Sequence, residues 1–163
     1  MQQLREPVLE ALARLGIAYE MEEHPPMFTT DDMQAFGIGA RGQILKNLFL
    51  RDAKGKRHFL VVTASEKKAD LDALREALGS TRLSFGSAER LMRCLHTTQG
   101  SVSPFAVLHD RDNAVEVVFD KALAGLARAG AHPCYNTATL WLAFADIERF
   151  VRDTGHEITY VEI

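Results

Sequence analysis

Cysteine is nearly absent from this chain, whose 163 residues hold two, Cys94 and Cys134. Two thiols make neither a disulfide framework nor a four-cysteine zinc site, so both are expected to stay reduced. Long hydrophobic runs are missing as well. No stretch approaches the roughly 20 apolar residues that span a bilayer. Met1 to Glu6 lacks the apolar centre of a signal peptide, so a cytoplasmic location without membrane contact is expected. A positive surplus is also absent, since 19 Lys and Arg face 22 Asp and Glu for a formal charge of -3. That balance counts against a protein that clamps long duplexes, and DNA is not an expected partner. It leaves room for a protein that holds only the end of a nucleic acid, where a few local cations suffice. Arg51, Lys54, Lys56, Arg57, Lys67, Lys68 and Arg82 are the candidates, each equally readable as solvated surface charge.

Familiar catalytic signatures are missing too. The chain has no Gly-x-Gly-x-x-Gly, no Gly-x-x-x-x-Gly-Lys-Ser/Thr and no Gly-x-Ser-x-Gly, which removes the anchors of nucleotide-cofactor, P-loop and α/β-hydrolase readings. Neither His-Glu-x-x-His nor paired Cys motifs occur, so no cofactor and a metal-free mechanism are expected. Without an internal repeat, a low-complexity segment or a linker, residues 1–163 read as one domain.

What is present is an alternation of helical and strand periods, the mark of an α/β domain. Leu4, Val8, Ala11, Leu12 and Leu15 recur at helical spacing up to a stop at Gly16. Ala18 to Glu23 reads as a short strand, and Thr29 with Asp32 as a capping box opening a short helix to Gly37. Gly37 to Gly42 is too rich in glycine for regular structure. Ile44 to Arg51 and His58 to Ala64 form a hairpin around a polar turn, followed by helices at Asp70 to Leu78 and Ser87 to Leu95, with Ser87 as N-cap. Val115 to Phe119, Ala138 to Phe144 and Glu157 to Ile163 supply further strands, and Asp146 is expected to cap a helix that stops near Gly155.

Three stretches carry chemistry. The strand from Ile44 to Arg51 is apolar on both faces except at Lys46 and Asn47. An ammonium among aliphatic neighbours costs several kcal/mol unless a partner or water reaches it; the plain alternative is that Lys46 snorkels to the surface. Gly100-Ser101-Val102-Ser103-Pro104 suits an anion-stabilising loop, with glycine allowing close backbone approach and consecutive amides aimed at an oxyanion, although a surface turn has the same residues. His132-Pro133 is followed by Asn136 and Thr137, which can hydrogen-bond either the loop itself or a ligand. His24, before Pro25 and Pro26, reads as structural.

In order and spacing, these three stretches resemble the YbaK/ProX family of free-standing aminoacyl-tRNA deacylases, most of all the branch that clears alanine from mischarged proline tRNA. The resemblance implies a single YbaK-like domain with a central mixed, mostly antiparallel sheet flanked by helices. It also implies hydrolysis of the ester in Ala-tRNA(Pro) while Pro-tRNA(Pro) is spared. The implied partners are the acceptor end of proline tRNA and prolyl-tRNA synthetase. By the same resemblance, Lys46 meets the terminal phosphate or ribose and Asn47 bonds near the ester or amino group. Amides of Gly100 and Ser101 meet the carbonyl oxygen, and His132 orients water or the substrate amine. Ser103, Pro104, Asn136 and Thr137 line the site, and Met27, Phe28, Ile44 and Leu45 are candidate pocket walls, each equally readable as core packing. Cys134-Tyr135 is bulkier than the alanine branch implies, so Ser, Cys or 2-aminobutyrate stay open as the amino acid removed. A catalytically idle module that binds tRNA or the synthetase is the rival reading, and a small-molecule binder is a third.

Overall fold

The computed structural model describes residues 2–26, 37 and 41–163, the side chains of residues 2–5 excepted. The expected helix from Thr29 and the pocket walls Met27 and Phe28 lie outside the described residues, as does most of the glycine-rich stretch from Gly37 to Gly42.

Helix α1 (Gln2–Arg14) buries Val8, Ala11 and Leu12, the spacing of a single helical stripe. It ends where Gly16 turns left-handed at φ 68°, with Ile17 N–H donating to Leu12 O at 3.0 Å and Gly16 N–H to Ala13 O at 3.1 Å. Strands β1 (Glu20–Glu23), β2 (Gln43–Arg51) and β3 (His58–Ala64) follow. Helix α2 (Leu71–Leu78) is capped by the Asp70 carboxylate, which accepts from Asp72 N–H at 3.0 Å and Ala73 N–H at 3.2 Å. After β4 (Ser84–Phe85), helix α3 (Ala88–Leu95) starts at Ser87, whose hydroxyl accepts from Arg90 N–H at 3.2 Å. Two 3-10 turns, Gln99–Ser101 and Pro104–His109, lead to β5 (Val115–Asp120). Strands β6 (Ala129–Ala131) and β7 (Ala138–Leu142), helix α4 (Phe144–Asp153) and β8 (Ile158–Val161) complete the chain.

One sheet runs in the order β1-β7-β6-β2-β3-β5-β8, with β4 paired to β2 off this path. It is mixed as expected: β1 with β7, β6 with β7, and β2 with both β3 and β4 are antiparallel, whereas β2 with β6, β3 with β5 and β5 with β8 are parallel. Its two faces bury separate clusters. Leu50, Phe59, Val61 and Val118 pack with α2 through Leu74, while Phe49, Leu60, Val62 and Phe119 belong to the larger cluster with α1, α3 and α4.

The first and last strands are shorter than expected, Glu20–Glu23 and Ile158–Val161, and two boundaries near Asp146 also differ. The seventh strand stops at Leu142, and α4 begins at Phe144 rather than at a cap on Asp146. Burial decides this: the Phe144 ring is fully buried against Phe119, with centroids 5.1 Å apart, which draws the turn earlier. Asp146 therefore sits inside the first turn and pairs with Arg149 at 3.4 Å.

Candidate functional site

Two short strands share one edge of β2, and among the described residues no strand pairs with its middle. β6 covers the start of that edge, with Gln43 opposite Ala129 and Ile44 opposite Gly130. β4 covers the far end, with Leu50 opposite Phe85, and Gly86 N–H donates to Phe49 O at 2.9 Å. A cleft of about 200 Å³ opens in between, walled by Asn47, Leu48, Phe85, Gly86, Gln99 and Val102 among others. Backbone groups alternate along the strand. Those of Ile44 and Asp52 turn to β3, seen in Ser65 N–H to Ile44 O at 3.0 Å and Asp52 N–H to Arg57 O at 3.1 Å. The backbone amide and carbonyl of Asn47 consequently turn toward the cleft.

The side chains of Lys46 and Asn47 leave β2 on opposite faces. Lys46 stands opposite Thr63 on β3, and its half-buried ammonium donates to the carbonyl of Lys67. That carbonyl is itself anchored, because Lys67 Nζ donates to Asp120 Oδ2 at 2.8 Å. Asp120 also accepts from Thr63 Oγ1 at 2.7 Å and Ala122 N–H at 3.0 Å. Burial alone would raise the Asp120 carboxyl; the Lys67 ammonium and the other donors outweigh it and hold it below its ordinary value. Lys46 is thus tethered rather than free at the surface. On the other face, Asn47 Oδ1 is buried and has no hydrogen-bond partner among the described residues. A buried, unsatisfied acceptor beside an open cleft calls for a ligand or water.

The Gly100 loop forms the opposite wall. Gln99, Gly100 and Ser101 make a 3-10 turn closed by Ser101 N–H to Thr98 O at 2.9 Å, so the Ser101 amide is already engaged. Its hydroxyl is buried without a partner among the described residues and is the donor this side chain can offer. Ser103 is fully buried and caps the next turn, accepting from Phe105 N–H at 3.1 Å, and Pro104 opens that turn. These two hold the loop in shape, while Gln99 and Val102 reach the cleft.

His132 follows β6 directly. The register that joins β6 to β2 ends at Ile44 with Gly130, two residues before His132. Its Nδ1 lies 2.9 Å from Ala138 O and must donate there, so the neutral ring presents Nε2 as an acceptor. Burial pushes the ring below its ordinary pKa, and nearby His24 adds to this. His24 itself is engaged at both nitrogens, by Pro25 O at 2.8 Å and Thr139 Oγ1 at 2.9 Å, which gives it the structural part. Thr137 O accepts from His24 N–H at 2.9 Å, and Asn136 is buried. Cys134 sits in the core with φ 67°, its thiol pushed up to about 12 by burial, so it is no nucleophile; Tyr135 is buried beside it. Leu45 belongs to the large core cluster, and Ile44 is half-buried against β6.

The structure therefore sets Asn47 across one cleft from Gln99 and Val102, while the neighbouring Lys46 sends its side chain to the other face of the sheet and Gly100, Ser101 and His132 are not among the residues that line that cleft. Of the candidate phosphate contacts, Arg57 is committed to Glu116 through two bonds of 2.9 Å and Lys67 to Asp120, while Lys54, Lys56, Lys68 and Arg82 are exposed. Phe85, Gly86 and Gln99 were not singled out from sequence. The signal for Gln99 is its place beside Gly100; Phe85 and Gly86 lie in a strand too short to show a period. Among the described residues no three His, Cys, Asp or Glu side chains converge as metal ligands would, and no helix is long and apolar enough to cross a membrane.

Comparison with known proteins shows the family. The family model of the aminoacyl-tRNA editing domain matches residues 24–150. The chain is 43% identical over 159 residues to the prolyl-tRNA editing protein ProX of Acetoanaerobium sticklandii, across 98% of this chain and 97% of that protein. It is 35% identical over 155 residues to prolyl-tRNA synthetase associated domain-containing protein 1 of Danio rerio, across 94% of this chain and 84% of that protein. A crystal structure described as a candidate trans-editing enzyme for prolyl tRNA synthetase shares the fold, with TM-score 0.72 at 20% identity over 98% of this chain and 97% of that one. On sequence along nearly its whole length and on fold, the chain belongs to the aminoacyl-tRNA editing family.

Proposed function

We propose that this protein is a trans-editing deacylase that hydrolyses the ester joining a small mischarged amino acid, alanine foremost, to proline tRNA and spares the prolyl ester. The observation that carries the reading is the bare middle of β2. There Asn47, next to Lys46 on the strand, faces Gln99 and Val102 across the cleft, in a chain of the editing family. Lys46 meets the phosphate or ribose of the terminal nucleotide, and the Lys67 carbonyl keeps its ammonium in place. The ester carbonyl lies toward the Gly100 turn, where the Gly100 amide and the Ser101 hydroxyl are the donors for the developing oxyanion. Water adds to the carbonyl carbon, the bond to the ribose oxygen breaks, and that oxygen leaves with a proton, freeing the amino acid. His132 Nε2 accepts a hydrogen bond from the attacking water or the substrate amine. An aminoacyl ester is labile enough that positioning and oxyanion stabilisation suffice without a covalent intermediate. Discrimination against proline is one of size, and a methylene in an apolar pocket is worth about 1–3 kcal/mol. The reading carries a cytoplasmic location and prolyl-tRNA synthetase as a partner with it.

The test is deacylation of one proline tRNA charged separately with Ala, Ser, Cys and Pro, by wild-type protein and by Lys46→Ala. Rapid loss of Ala with Pro retained, at least 100-fold slower in the variant at unchanged melting temperature, is expected. Loss of Ser or Cys instead would keep the reaction and change the amino acid. No turnover of any ester would overturn the enzyme in favour of a binding module.

A further inference from the structure

An aromatic ring stands in water at the mouth of this cleft. Phe85 is 61% exposed, and Met92 is the one other large apolar side chain so exposed among the described residues. A solitary exposed apolar residue needs no explanation, but the position of Phe85 is particular. It is half of a two-residue strand whose place is set by glycine. A Cβ on Gly86 would stand 2.4 Å from two carbons of the Phe49 ring, so the backbone lies directly against that ring and presents Phe85 outward. Opposite Leu50 in the ladder, Phe85 shares a sheet face with Lys46. Four residues of β2 separate the two levels, about 13 Å along the strand. Exposed Arg82 lies three residues before Phe85.

Resting on the deacylase reading, we propose that Phe85 is the stacking platform for the unpaired base at the 3′ end of the tRNA, which registers the terminal ribose and its ester over the cleft. Every base offers a π-face, so an exposed ring serves end-binding without reading sequence. This is a positioning role: the ring touches the base and sets where the ester lies.

The test uses an alanyl RNA minihelix with an intact 3′ end, and the same RNA with an abasic ribose as the terminal nucleotide. Stacking on aromatic rings is worth about 1–3 kcal/mol per base. Phe85→Ala should therefore raise KM about 5- to 150-fold on the intact RNA and leave kcat within about twofold. Phe85→Trp should stay near wild type, and Phe85→Leu should resemble Phe85→Ala. On the abasic RNA, wild type should show the same loss and Phe85→Ala no further one. A wild-type KM for Phe85→Ala, full function in Phe85→Leu, or an undiminished Phe85→Ala effect on abasic RNA would each overturn the proposal. Should wild type deacylate nothing, the deacylase reading fails by itself. Fluorescence anisotropy of the uncharged minihelix then decides Phe85 alone: binding weakened by Phe85→Ala and kept by Phe85→Trp supports it, and equal binding overturns it.

Discussion

Removing Asp110 should show how the wall behind the site is held. Asp110 and His156 form a buried pair, Nε2 to Oδ2 at 2.8 Å, with side chains 3% and 1% exposed. Thr154 Oγ1 donates to Val151 O at 2.6 Å and lies 2.8 Å from His156 Nδ1, so both ring nitrogens are engaged. Asp110 also accepts from Ala114 N–H at 2.9 Å and Val115 N–H at 2.8 Å, tying the entry of β5 to the end of α4. Asp110→Ala leaves two amides and a ring donor unsatisfied. Removing one partner of a buried pair costs about 3–5 kcal/mol. At about 2–4 °C per kcal/mol for a domain of this size, Tm should fall by about 6–20 °C in a thermal melt at pH 7. The double variant with His156→Leu should lose less than the two single losses summed, by about 1–3 kcal/mol. Burial alone would raise the Asp110 carboxyl, but His156 and the two amides hold it below its ordinary value. Its contribution is therefore complete above the unfolded value near about 4 and disappears as pH falls through the folded value. The gap between wild type and Asp110→Ala should persist at pH 5 and shrink below about pH 4. A Tm change under about 2 °C, or strictly additive single losses, would refute the reasoning.

Two further outcomes test the site. Gly86→Ala places a methyl against Phe49, whose ring cannot retreat because it is stacked on His58 with centroids 5.7 Å apart. Overpacking of about 1–3 kcal/mol should lower Tm by about 2–12 °C and raise KM as β4 and Phe85 shift, and unchanged values of both would contradict the placement of β4. Burial keeps His132 neutral to a lower pH than an ordinary histidine. If Nε2 accepts in the reaction, the plot of kcat/KM against pH should fall on the acid side with a midpoint below 6.5. His132→Gln should remove that step; an acid limb identical in both proteins would take His132 out of the reaction.

Much of the fold is legible because its signals are local. Asp70 and Ser87 are caps that announce α2 and α3, and β2 with β3 is joined by a short polar turn. The strands that shape the site are not local. Ser84–Phe85 and Ala129–Ala131 have two and three residues, too few for any period, and exist because they pair with β2 from far along the chain. A Cβ on Gly130 would come within 2.7 Å of the buried Trp141 ring, so the smallness of this residue serves packing within a strand. Without β4 and β6 in view, nothing marks the middle of β2 as bare, and the exposure of Phe85 has no context.

The same missing strands explain why Lys46 and Asn47 read as an interruption. In a strand paired on both edges, two adjacent polar side chains would enter two separate apolar layers, and each would need its own buried partner. Among the described residues only one edge of β2 is continuously paired, and Asn47, Leu48 and Phe49 border the cleft on the other. Lys46 is half-buried with one tether, the Lys67 carbonyl, and Asn47 keeps an unsatisfied oxygen at the cleft, where a ligand can reach it. The Asp120 network holds that tether from the adjoining strands, with Thr63 on β3 and Asp120 at the end of β5. The polar pair is thus tolerated for the same reason that it is useful: the sheet was left open where the chain carries its chemistry.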